Sequence, residues 1–176
     1  MYMKFVYFAF IFLLFSSCLD FKKANYKESI NSLAINLSSL QEKRVEFIDS
    51  INFYINNSIV IDSIFKSTYK DDTLSLYNAE NIDLFLNYKR AFTQLYMETL
   101  SLDSIIVLKR ESIENLDKDI QKSSGIIAKY DYFISFEKDQ ISRISNVLKE
   151  SELKFIELKI KYEDLLPKLN SYFLSL

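Results

Sequence analysis

The chain has 176 residues, enough for one domain with its own core, and its 22 basic and 24 acidic side chains leave a net charge of −2. With no histidine and a single cysteine, glycine and proline, it lacks the usual nucleophile–base pairs, a disulfide and the turn residues of β architecture. Its arginines, Arg44, Arg90, Arg110 and Arg143, are scattered rather than striped, so nucleic acid is not an expected partner.

Lys4 is the only charge before an unbroken apolar run, Phe5–Phe15, which Ser16 and Ser17 join to Cys18. A positive start, an apolar run and small residues are the order of a secretory signal. The run has 11 residues, whereas a transmembrane helix needs about 20. Phe5, Tyr7, Phe8, Phe10 and Phe12 would point to all sides of a helix, which suits no amphipathic core element. Phe15 stands three residues before Cys18, where ordinary signal cleavage favours a small side chain.

With its cysteine at the cut, this segment resembles a bacterial lipobox. Phe15 replaces the usual aliphatic residue, and looser lipoboxes of this kind are similar to those of spirochaetal lipoproteins, as is the Lys/Asn/Ile/Ser/Phe-rich remainder. The resemblance implies that residues 1–17 are a cleaved signal peptide and that Cys18, acylated with palmitate or a similar chain, begins the mature protein. It also implies a cell-envelope address, on the outer membrane rather than the inner, and leaves open which face is exposed. The mature chain would lose Lys4 alone among its charges, giving −3, and would hold no free thiol. Residues 18–23 then form a lipidated tether that reaches at most roughly 20 Å.

Beyond the tether, apolar residues recur three and four apart. The first seam runs from Tyr26 through Ile30, Leu33, Leu37 and Leu40 to Phe65, with Arg44 and Ser58 inside it. The second runs from Asn81 through Phe85, Tyr88, Phe92 and Leu95 to Ile120, and includes Thr99 and Lys109. The third runs from Ile127 to Leu176, and only Glu137 and Ser151 interrupt it. These are coiled-coil seams, each on the order of 60–70 Å long if helical. They predict an all-α fold, a single helical-bundle domain over 24–176 with helices at about 24–66, 79–122 and 125–175.

The breaks fall at 66–80, where Asp72, Thr73 and Asn78 are possible N-caps, and at Ser123-Ser124-Gly125, which holds the only glycine. Layering the a positions of one seam with the d positions of the next pairs residues of the second and third helices whose numbers add to 250, a fold-back centred on Gly125. An antiparallel three-helix bundle follows. The alternative is an extended coiled coil with one continuous helix over 81–176. For the first and second helices the layer numbers add to 146 or to 153. The 146 register sets Arg44 beside Leu102, whereas 153 would set it against Lys109, so 146 is preferred.

Charged residues inside the seams are the candidate register device. Lys109 and Glu137 fall in adjoining layers and either pair in the core or extend outward along their apolar stems. Elsewhere carboxylates lie on outer helix faces. Asp71-Asp72 and Asp117/Asp119 lack the spacing of a calcium loop, so no metal, cofactor or catalytic residue is expected. The Ile/Leu-Asp-Ser-Ile echo at 48–51, 61–64 and 102–105 falls in different heptad registers and marks no site.

Leu153, Ile156 and Ile160 run along the face opposite Phe155, Leu158 and Tyr162. A three-helix bundle leaves that face without a neighbour, unless Leu74, Leu76 and Tyr77 of the long connection fold over it. With Tyr69, Leu76, Tyr77 and Phe173 at the bundle tip, these three are the candidate partner-binding residues. The expected function is a non-enzymatic protein-binding module on a lipid anchor, its partner an envelope protein or, by the resemblance, a host protein. The alternative is a structural periplasmic lipoprotein that self-associates through the same face.

Overall fold

The computed structural model describes residues 2–68, 76–122 and 129–173, with side chains over 22–67, 78–122 and 129–171. Three helices follow in order: α1 (Tyr2–Thr68), α2 (Leu76–Lys122) and α3 (Tyr130–Phe173). They pack against one another in a three-helix bundle, and no strand occurs among the described residues.

The alternative of one helix spanning 81–176 does not hold, because α2 ends at Lys122 and Lys109 turns back on Glu137. The expected starts also shift. Helix α1 begins at Tyr2 rather than near 24, since nothing between those points breaks a helix: there is no proline or glycine. It therefore includes the stretch expected to be signal peptide and tether. Helix α2 starts at Leu76 rather than 79, and α3 is described from Tyr130, its expected start at 125 lying outside the described residues. Gly125 and most of the 66–80 connection lie outside the described residues. Helix α3 continues past Pro167, whose missing N–H removes one backbone bond in its last turns.

The chain divides into two compact units, each built from segments of all three helices. The first comprises Met1–Ser39 and Ile105–Arg143. Its seam residues Ile30, Leu33, Leu37, Ile113 and Ile120 are buried. Tyr26 packs edge-on against Tyr130 at 5.8 Å, and its hydroxyl donates to Asp131 Oδ2 at 3.2 Å. The Tyr130 hydroxyl donates to the Asp119 carbonyl at 3.0 Å, and Lys23 Nζ to that of Gln121 at 2.7 Å. The end of α2 and the start of α3 therefore lie beside residues 23–26 of α1.

The second unit, Leu40–Ser104 with Ile144–Leu176, is built on rings. Tyr54 stacks on Phe92 with centroids 5.2 Å apart and meets Tyr162 edge-on at 5.8 Å. Phe155 packs edge-on against Phe47 and Tyr54, at 5.5 Å from each. Such offset and edge-on contacts add to the area that large side chains bury. Phe47 meets Phe155 and Tyr54 meets Tyr162, so α1 and α3 run parallel here. Helix α2 runs against them, because Arg44 meets Asp103, Tyr54 meets Phe92 and Asp62 meets Lys89. The Tyr54–Phe92 stack is the 146 register.

Arg44 shows why that register works. Its guanidinium is buried yet fully engaged. Nε donates to the Thr99 carbonyl at 3.2 Å, Nη2 to the Leu100 carbonyl at 3.4 Å, and Nη1 pairs with Asp103 at 3.0 Å. A buried charge without such partners would carry a large desolvation cost. Asp62 makes the other tie between α1 and α2. Lys89 at 2.6 Å, helped by Lys66 at 3.1 Å, holds its carboxyl below the usual range despite its burial.

Candidate functional site

In its second-unit segment α3 has two unlike faces. Tyr162, Leu165 and Leu169 are buried against α1 and α2. On the opposite face Leu153, Ile156 and Ile160 are 59%, 52% and 56% exposed. Among the described residues none covers them; Leu74 and the side chains of Leu76 and Tyr77, the expected alternative cover, lie outside the described residues. Their 3–4 spacing makes a continuous apolar ridge of the kind a helix presents to a partner.

Charged residues border the ridge. On the side toward α1, the Tyr54 hydroxyl donates to Glu163 Oε1 at 2.6 Å, and Lys159 Nζ sits 5.9 Å from the centre of the Tyr54 ring. Burial, then the Glu163 carboxylate, pushes the Tyr54 hydroxyl well above the ordinary tyrosine range. On the side toward α2, Glu157 and Lys161 form an i,i+4 pair at 2.6 Å. Beyond them a shallow groove of about 420 Å³ runs between α2 and α3, bordered by Tyr88, Glu98, Lys154 and Glu157. It offers charges of both signs and no activated nucleophile.

Helix α1 adds apolar surface that the sequence reading did not single out. Phe53, Val60 and Ile64 are exposed and recur seven and four apart, off the core seam. That off-seam spacing was a signal available in the sequence. In the first unit, Tyr132, Phe133 and Phe136 form a second exposed cluster, with Tyr132 5.6 Å from Phe133 and 6.5 Å from Phe136.

Lys109 and Glu137 form an ion pair at 3.1 Å, and Ser112 Oγ donates to the other Glu137 oxygen at 2.6 Å. Both α2 residues lie within the turn before Ile113, which the 250 register sets opposite Glu137. The Glu137 side chain is nearly enclosed, while Lys109 keeps some solvent and places its ammonium 5.2 Å from the Phe136 ring centre.

Of the other candidate residues, the side chains of Cys18, Tyr69, Leu76, Tyr77 and Phe173 lie outside the described residues. Asp117 accepts from Gln121 at 2.6 Å within α2, and among the described residues no group of three or more histidine, cysteine or acidic side chains is placed to hold a metal. Among the same residues no helix is long and apolar enough to cross a membrane. No family model, curated protein or solved structure matches this chain.

Proposed function

We propose that the protein is a lipid-anchored, non-enzymatic binding module of a bacterial cell envelope. The supporting observation is the Leu153/Ile156/Ile160 ridge, exposed on a helix whose other face is fully packed. Leaving such a ridge in water forgoes the burial that would otherwise stabilise a fold, so a use in association is the physical reading. The anchor follows from the order of residues 4–18, with Cys18 as the acylated residue and palmitate or a similar chain as the lipid. A protein partner docks on the ridge while the acyl chains hold the module at the membrane.

Two measurements test this. Cys18→Ala should move the protein from the membrane to the soluble fraction and abolish incorporation of labelled palmitate. Full retention with the membrane would refute the anchor. For the ridge, Leu153→Lys/Ile156→Glu/Ile160→Lys keeps residues of similar helix propensity and removes the apolar face. The melting temperature should stay within a few degrees of the unaltered protein while association is lost. A drop of several kcal/mol in stability, as buried aliphatics would give, would make the ridge part of the fold instead.

A further inference from the structure

We infer that the partner on the ridge is a second copy of this chain, its α3 running antiparallel to the first. This rests on the reading of the ridge as a partner surface and names the partner. The carrying observation is the order of charges beside the ridge. Lys149 and Glu163 stand one heptad before and after Ile156, in line with it, and Glu152 and Lys159 lie beside it on the flank toward α1, so the chain order is Lys149, Glu152, Lys159, Glu163. The signs read plus, minus, then plus, minus. Turned end for end about Ile156, the same row reads minus, plus, minus, plus.

Two copies related by a twofold axis near Ile156 therefore set Lys149 against Glu163 and Glu152 against Lys159, each pair occurring twice. The same operation brings Leu153 of one copy to the level of Ile160 of the other, so the apolar ridges meet. A parallel pair would place Lys149 on Lys149 and Glu163 on Glu163, and like charges in register select against it. On the other flank Glu157 already has its cation, Lys161, so it brings no uncompensated charge to the axis. The interface is isologous, and it closes at two chains rather than growing into a fibre. Two chains anchored in one bilayer and paired this way hold these α3 segments along the membrane rather than across it.

Glu152 and Lys159 provide the test, because among the described residues neither forms an ion pair. The full-length protein is purified in mild detergent, and its protein mass is followed by light scattering up to about 100 µM, where a micromolar dimer is complete. The unaltered chain should be dimeric. Glu152→Lys or Lys159→Glu alone replaces two attractions with two repulsions, and each should raise the dissociation constant about tenfold. Mixing the two variants should restore association as heterodimers, and combining both substitutions in one chain should restore the homodimer. Unchanged melting temperatures confirm that the fold survives.

A chain monomeric at every concentration overturns the inference. So does a dimer indifferent to the swaps, or a mixture no tighter than its components. The reading of the ridge itself fails separately, if the triple ridge variant loses folding stability. A monomeric chain whose ridge variant keeps its melting temperature removes the second copy and leaves a different protein as the partner.

Discussion

Phe92→Ala should lower folding stability by about 4 kcal/mol, the largest effect expected of a single core substitution here. The Phe92 ring is wholly buried and touches three others: stacked on Tyr54 at 5.2 Å, and edge-on to Tyr162 at 5.5 Å and Phe155 at 6.0 Å. Alanine removes the ring's transfer energy and leaves a cavity whose walls are rings held by their own helices. Those walls cannot collapse far, because Tyr54 is tied to Glu163 and the hydroxyls of Tyr162 and Ser58 share a hydrogen bond at 3.2 Å. Urea unfolding should show a lower midpoint at unchanged slope. A loss below about 1 kcal/mol would mean that the cluster relaxes freely and does not hold the three helices together.

Lys109→Leu should cost about 3 kcal/mol, because it leaves the Glu137 carboxylate in an enclosed site with Ser112 as its remaining partner. Glu137→Leu should cost less. Lys109 is partly exposed, and its ammonium can keep its place near Phe136 or turn into water. Replacing both with leucine should cost less than Lys109→Leu alone, since an apolar pair of similar volume often replaces a buried ion pair with little loss. The double-mutant cycle is read by urea unfolding. Equal, small losses in all three variants would show that both charges are solvated and that the pair does not set the α2–α3 register.

Most of the architecture was legible because it depends on period alone. Apolar residues three and four apart leave a chain no way to bury them except as helices side by side, and the near absence of glycine and proline removes the competing turns. The polar interruptions were informative too. Setting Arg44 against Lys109 would have buried two like charges, which was enough to prefer the register in which Tyr54 stacks on Phe92. The helix starts were less legible. Residues 2–23 contain no breaker, so a reading that expected signal and tether there had no local reason to stop the helix.

The sequence by itself determined the helical class, the antiparallel order, the seams and the order of residues from Lys4 to Cys18 that suggests an anchor. These are one-dimensional properties: spacing, the sign of charge and the position of rare residues. Only the tertiary structure decided which off-seam apolar residues stay in water. Leu153, Phe53 and Phe136 look alike in the sequence, and their exposure depends on where the two neighbouring helices lie. It also decided how Arg44 is satisfied, since a guanidinium reaching two carbonyls and a carboxylate on α2 depends on interhelical distance and rotation. Periodicity specifies which face turns inward, whereas the partners a side chain finds there are set when the helices close on one another.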